Sequence, residues 1–489
     1  MPRTRTTHQP GAELTRKQLD AIQSPHGRLS LVGRVCEMVS GQIQSRQLSA
    51  GHRLPSVRQL AEDCGVSADT VARAYDKLVA GGILESRAGS GFYVRQSGRT
   101  PHADHRVLAE AMLAGWWRLR PLMTTRPSLS TTGSGVLPAH WLDEGTLGGA
   151  LRTVSRASQR GLADYGDPQG YLPLRQQIQS KLKEIQVDVP PAQIMITGGA
   201  TEAINLIMMG YLRASGESVL VDDPGPFLLR DRMMATGLDV ARVPRLADGP
   251  DLDVLRQQCI RHKPRFYFTS SVLHNPTSNS MAPHKAFQLL RMAEEFDFTI
   301  VEDDTYGDLA PPMSSITRLA TLDQLQRVIY VGSFSKTLGA GLRVGYLAAG
   351  VQQMEWLTVY RMVTGIAGST LPQRLIYQLL SQGGYRHHCA QLRARLDQHR
   401  QATVEQLRQI GCVIDHIPES GMYLWARLPG GAHATKVAEA MHQAGHMAAP
   451  GELFGSEPFY NHMRFNIATT RDSPGLPLLA QFARELAPK

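Results

Sequence analysis

The stretch SFSKTLGAGLRVGY, residues 333–346, sets a lysine and an arginine among small hydroxyl residues, just behind an apolar run at Val328–Val331. A lysine delivered by a strand end, with Ser333 and Ser335 before it and Arg343 seven positions on, suits an aldimine. Lys336 would bond a cofactor aldehyde, while the two serines and the forked donors of Arg343 hold a phosphate. Upstream, a second apolar run ends in Val301–Tyr306, with Asp303 and Tyr306 three residues apart. A carboxylate there can face a pyridine nitrogen and keep it protonated, and a phenol can hydrogen-bond the ring oxygen. Further upstream, His274-Asn275-Pro276-Thr277 offers the Asn275 amide to the same oxygen. Thr197-Gly198-Gly199-Ala200-Thr201 precedes a helical stretch, whose first N–H groups form a ready phosphate site.

Such groups need a scaffold that brings strand ends together. From about residue 130 short apolar runs alternate with helical patterns: Gln193–Thr197, Ser218–Val221, Arg265–Ser270, Thr299–Glu302, Val328–Val331 and Val344–Ala349 read as strands. That alternation predicts an α/β body with a mostly parallel sheet and ligands at the carboxyl ends of its strands. A chain of 489 residues exceeds what one core organises. The expected division is a head at residues 29–95, a linker with a short helix (Val107–Leu119) at 96–130, and the body at 131–489.

In the head, Leu31, Val35, Met38, Val39 and Ile43 recur at helical spacing. Pro55 and Ser56 open a second helix that Gly65 ends; Ser67 caps a third, stopped by Gly81-Gly82. Two strands follow, Ile83–Arg87 and Gly91–Val94, turning through Gly89-Ser90-Gly91. Three helices and a hairpin make a winged helix-turn-helix, whose third helix would enter the major groove. Charge agrees: residues 1–98 hold 13 basic side chains against 8 acidic, within a net +9. The five cysteines are scattered without a C-x-x-C pair, so neither a metal site nor a disulfide framework is expected, and a cytoplasmic setting fits. The opening MPRTRTTHQPGAELTRKQ does not read as a secretory signal, and no apolar run of about 18 residues suggests a membrane span.

Residues 51–94, with Leu54-Pro55-Ser56, Arg58, Gly65-Val66-Ser67, Thr70-Val71 and Gly89-Ser90-Gly91, resemble the GntR-type winged helix. The resemblance implies DNA contacts from Arg53, Arg58, Ser67, Thr70 and Arg73; Ala68 stands where that family often has a basic or polar residue. Residues 140–485 resemble the class I/II aminotransferases, fold-type I enzymes of pyridoxal 5′-phosphate (PLP), with Asn275, Asp303 and Lys336 spaced 28 and then 33 residues apart. The resemblance makes Lys336 the Schiff-base lysine, Asp303 the pyridine partner, and Asn275 and Tyr306 the ring-oxygen donors. It assigns Ala200, Thr201, Ser333, Ser335 and Arg343 to the phosphate, with Tyr165 reaching the phosphate of a neighbouring subunit. Arg464, in HMRFNIA, would pair with a substrate carboxylate. Two positions depart from the family pattern. Pro226 stands where a ring-stacking aromatic is usual, leaving Phe227 one position off, and Thr201 replaces a frequent glutamine.

A GntR-type head before an aminotransferase-like body is the layout of the MocR subfamily of regulators. It implies a head-to-tail homodimer, a double-stranded DNA operator with paired half-sites, and an effector that is PLP or a small amine or amino acid. The alternative is an aminotransferase with an accessory DNA-binding head.

Overall fold

The computed structural model describes residues 15, 16, 19, 30–44, 48, 51–80, 83–87, 90–94, 130–142, 144–156, 164–212, 217–311 and 316–488. The chain forms two compact units, Met1–His102 and Ala103–Lys489. The helix expected at 107–119, the glycine pair 81–82 and Gly89 of the wing lie outside the described residues.

In the first unit, α1 (Leu31–Gln44), α2 (Val57–Cys64) and α3 (Ala68–Ala80) precede an antiparallel hairpin of β1 (Leu84–Arg87) and β2 (Gly91–Val94). Ser56 caps α2 by accepting from the Gln59 N–H, and Gly65 ends it in the left-handed region at φ 60°. Val35, Met38, Val39, Leu60, Cys64, Val71, Tyr75 and Leu78 close one core. Two details depart from the periodicity. Leu31, in the first turn of α1, is half exposed, whereas Leu19, upstream of the expected domain start, packs into this core.

The second unit is built on two main sheets. Its strands are β3 (Ser130–Thr131), β4 (Ile194–Thr197), β5 (Ser218–Asp223), β6 (Asp239–Leu246), β7 (Gly249–Pro250), β8 (Phe266–Thr269), β9 (Thr299–Asp303), β10 (Val328–Ser333), β11 (Gly345–Ala348), β12 (Tyr423–Arg427), β13 (His446–Met447), β14 (Ala449–Pro450) and β15 (His462–Asn466). Eight of them order as β4-β11-β10-β9-β8-β5-β6-β7. From β10 to β6 neighbours run parallel; β11 is antiparallel to both its neighbours, and β7 is an antiparallel edge. Alternate residues of the central strands feed opposite apolar layers: Leu220, Ile300 and Val328 on one face, Val219, Val221, Val301 and Ile329 on the other. Burial on both faces explains why these strands read as continuous apolar runs rather than alternating ones. The smaller sheet, β12-β15-β14, rests on a separate core with Leu396, Val404, Met422 and Phe465. Four helices of this unit bear on the site: α4 (Ala200–Tyr211), α5 (Phe227–Ala235), α6 (Val351–Gly365) and α7 (Gly384–Gln409).

Candidate functional site

Strand order places the chemistry. β9 and β10 are parallel neighbours, so Asp303 and Ser333 emerge at adjacent carboxyl ends, where open α/β sheets bind ligands. Lys336 follows in the turn after β10, and its Nζ donates to the Gly135 carbonyl at 2.7 Å. It lies 5.5 Å from the centre of the Tyr306 ring. Burial pushes the Lys336 ammonium below the usual lysine range; Arg464 and Arg343 push the same way, while Tyr423 and Asp303 oppose them. Asp303 is half-buried, and desolvation raises its carboxyl, although the Thr305 N–H and hydroxyl both donate to it. Tyr306 and Tyr423 share a hydrogen bond at 3.1 Å, and burial holds the Tyr306 phenol well above its ordinary range, in the protonated form.

Arg464 enters from β15 and is 2% exposed. Its Nη1 donates to Asn275 Oδ1 at 2.8 Å and its Nη2 to the Gly133 carbonyl at 2.8 Å. The guanidinium sits 4.3 Å from the Tyr423 ring centre and 4.7 Å from that of Phe454, while Nε has no hydrogen-bond partner among the described residues. A Cβ on Gly135 would stand 3.9 Å from each of Arg464 Nη2, Lys336 Nζ and Tyr423 Oη. The absent side chain therefore keeps open the space on which all three converge.

The third feature is an anion cradle. Gly199 has φ +96°, and a Cβ there would meet the Arg343 guanidinium at 3.0 Å, so the arginine lies directly over the chain entering α4. Ala200 and Thr201 are the first residues of α4, where N–H groups lack intrahelical acceptors. The Glu202 carboxylate takes the Gly198 N–H. Ser335 Oγ is buried with no partner among the described residues, and Ser333 Oγ accepts from the Ser335 N–H at 3.2 Å. An orphaned hydroxyl, an arginine on glycine and a helix start suit a phosphate; a desolvated carboxylate and nearby lysine suit the rest of PLP.

Two expected residues stand differently. Phe227 is the first residue of α5 and packs edge-on against Phe454 at 5.5 Å, so it meets the site through that ring. Tyr165 makes none of these contacts and is 84% exposed.

Sequence reasoning missed a buried network beneath Asn275. Asp222, at the end of β5, accepts from Arg245 Nη1 at 3.2 Å, Thr269 Oγ1 at 2.7 Å and the Tyr267 hydroxyl. His274 Nε2 is 3.6 Å from the same carboxylate, and its Nδ1 meets Thr277 Oγ1 at 3.1 Å. Burial drives the His274 imidazole well below its ordinary range and so keeps it neutral.

On the first unit, Arg53, Arg58 and Arg73 are exposed. Arg73 pairs with Asp69 at 3.8 Å across one helical turn, and a Cβ on Gly91 of the wing would lie 3.7 Å from Arg53 Nε. Ser67 Oγ accepts from the Thr70 N–H at 3.2 Å and so caps α3, and it lies 2.8 Å from Thr70 Oγ1, which steadies the cap. Arg87, not anticipated, covers the Tyr93 ring at 4.4 Å and pairs with Glu85 at 2.6 Å.

Comparison with known proteins covers both units. Residues 31–94 match the bacterial regulatory proteins of the gntR family, and residues 134–474 match aminotransferase class I and II. The uncharacterized HTH-type transcriptional regulator YdcR of Escherichia coli (strain K12) is 28% identical over 445 residues, spanning 89% of this chain and 94% of YdcR. The HTH-type transcriptional regulator NorG of Staphylococcus aureus (strain USA300) is 25% identical over 393 residues, 76% of this chain and 86% of NorG. Among solved structures, LysN, an α-aminoadipate aminotransferase from Thermus thermophilus complexed with N-(5′-phosphopyridoxyl)-L-leucine, superposes with a TM-score of 0.68 at 25% identity. That match covers 77% of this chain and 98% of LysN. Among the described residues no helix is long and apolar enough to cross a membrane. The chain belongs to the aminotransferase class I and II family, and its GntR-family head gives it the layout of the MocR-type, PLP-dependent DNA-binding regulators.

Proposed function

We propose that the body senses a small amino compound, or PLP itself, and that the head turns occupancy into a change in operator binding. The observation that carries this reading is the meeting of Lys336 and Arg464 in one buried space, on the carbonyls of Gly135 and Gly133. A lysine for an aldehyde and an arginine for a carboxylate are the two ends of an amino-acid site.

Bound PLP supplies an aldehyde that condenses with primary amines. Around it, Lys336 provides the competing amine, and burial brings Nζ nearer its neutral, nucleophilic form. Asp303 would face the ring nitrogen, while Asn275 and the protonated Tyr306 phenol would orient the ring oxygen. Ala200, Thr201, Ser333, Ser335 and Arg343 would hold the phosphate. Arg464 receives the effector carboxylate, with Tyr423 and Phe454 excluding water from its flanks and Phe227 bracing Phe454. On the head, Arg53, Arg58 and Arg73 contact phosphate or base edges, with Ser67 and Thr70 setting the start of α3.

A homodimer is part of the reading. Val359, Met362, Val363 and Ile366 form an exposed apolar row on and just beyond α6. A Cβ on Gly166, next to Tyr165, would touch Thr370 and lie near Gly368, just after that row. An apolar surface beside an outward-pointing tyrosine supports pairing with a second copy, in which Tyr165 would be free to reach the partner's phosphate.

The test is Lys336→Ala in the full-length protein. Absorption of lysine-bound cofactor should vanish with the far-ultraviolet circular dichroism unchanged; a persisting band overturns the assignment. The same site would also serve transamination. Rapid multiple-turnover exchange between amino-acid and keto-acid pairs would favour the enzyme with an accessory head.

A further inference from the structure

Helix α7 passes from one core of the body to another. Tyr385 and Cys389, in its first turns, pack beneath the eight-stranded sheet; Leu392, Leu396, Val404 and Leu407 pack under the small one. The same first turns grip the lysine turn. His388 Nε2 donates to the Thr337 carbonyl at 2.6 Å, and the Tyr385 hydroxyl meets Thr337 Oγ1 at 2.8 Å. Tyr385 has one hydroxyl proton and gives it to Asp308, so the Thr337 hydroxyl must donate to Tyr385. Asp308 is paired with Lys181, and its carbonyl accepts from Arg393 Nη1 at 2.9 Å. Asp308 lies two residues beyond Tyr306. Three side chains of α7 thus hold the two turns that carry Lys336 and Tyr306.

Further along, in its second half, the helix is tied to the opposite wall of the site. Arg400 donates to the Glu419 carbonyl at 2.9 Å and the Gly421 carbonyl at 3.1 Å, in the turn that leads into β12. That strand carries Tyr423, and its register partner across the ladder from Trp425 is Arg464. A 26-residue helix is about 39 Å long and moves as a unit. Because its anchors are mostly backbone carbonyls set in packed cores, small displacements at one end cannot be absorbed locally.

We infer that Tyr385 and His388 are positioning residues: they bind the backbone and hydroxyl of Thr337 to α7, so that a change in how Lys336 is bonded passes along the helix to the sheet carrying Arg464 and Tyr423. The inference rests on Lys336 being the cofactor lysine.

The experiment uses the full-length, PLP-loaded protein and aminooxyacetate, a probe whose aminooxy nitrogen takes the aldehyde carbon while its carboxylate is free for Arg464. The bond to Lys336 Nζ breaks and the lysine leaves as the free amine. Wild type, Thr337→Ser and the double variant Tyr385→Phe/His388→Leu are compared by absorption and by amide hydrogen exchange over residues 412–427 and 462–466. All three should show the same spectral change. Wild type and Thr337→Ser, which keeps the hydroxyl, should show a probe-induced exchange difference; the double variant should show it reduced about twofold or more. A purely structural role would raise exchange with and without probe alike and leave the difference intact. An undiminished difference in the double variant, or none in wild type, overturns the inference. A wild type without lysine-bound absorption instead fails at Lys336 itself and takes the inference with it. Should the double variant not load, Tyr385→Phe alone, which keeps the buried ring, carries the same comparison.

Discussion

Replacing Arg464 by lysine separates carboxylate recognition from the other duties of the site. Lysine keeps the positive charge and loses the planar fork. In the structure Arg464 spends one donor on Asn275 and one on Gly133, each at 2.8 Å, and keeps Nε unpartnered among the described residues. A ligand carboxylate therefore finds donors already aimed and desolvated between two aromatic rings. A lysine ammonium can offer it a single point contact. One charge-assisted hydrogen bond is worth about 1.5–3 kcal/mol, so losing one of a forked pair should cost about 2 kcal/mol, or about 30-fold in apparent affinity. The assay titrates PLP-loaded wild type and Arg464→Lys with L-alanine and with ethylamine, its counterpart without the carboxylate, following cofactor absorption. Alanine should weaken about 30-fold and ethylamine by no more than about threefold. Damage to Asn275 or to the strand affects both ligands equally and cancels in the ratio. Equal losses would reduce Arg464 to a structural role, and no loss for alanine would remove it from the carboxylate altogether.

Arg58→Ala should weaken duplex DNA binding and lower the slope of log K against log salt by about one unit, measured by fluorescence anisotropy across a salt series; an unchanged slope excludes a phosphate contact. Glu302 accepts from the Leu319 and Ala320 N–H groups and from Ser271, yet burial, with Asp304 adding, pushes its carboxyl up to about 7. A folded value above the unfolded one means that the folded state holds the proton more tightly. That contribution is complete below the ordinary glutamate range and is lost as pH rises through about 7. Glu302→Gln should therefore flatten the fall in unfolding free energy between about pH 5 and 8 by on the order of 2–3 kcal/mol, and parallel denaturation curves for both proteins would refute it. Val363 is 81% exposed, so Val363→Asp should leave the fold intact and turn a dimer into a monomer by sedimentation velocity. A dimer of unchanged affinity would move the interface elsewhere.

The parts of the site legible in the sequence were those whose side chains stand just beyond strand ends. Lys336, Asp303 and Asn275 each follow an apolar run, and a buried parallel strand writes itself plainly into sequence. The winged helix was legible for a similar reason, since Ser56, Gly65 and Ser67 mark helix ends by their own hydrogen-bonding and backbone preferences. What stayed hidden acts through backbone or through long-range packing. Gly133 and Gly135 hold the two key cations by carbonyl oxygens, which no residue type advertises. Arg245 and His274 gain their meaning only when β5, β6 and the segment after β8 bring them to Asp222. Phe227 looks misplaced by one position in the sequence because Phe454, which links it to Arg464, lies more than two hundred residues away along the chain.

Gly133 has a consequence of another kind. Its carbonyl occupies a donor of Arg464, so it acts as a built-in rival to any incoming carboxylate, present at a fixed and high local concentration. If the site takes an amino acid, the concentration at which it fills is set partly by this rival, not by the ligand's own contacts alone. A Cβ at Gly133 would collide with Ala449 N at 2.5 Å and with Ala449 Cβ at 2.6 Å. This competition is thereby anchored to the main chain, and a substitution meant to retune it would have to act from the Arg464 or Asn275 side.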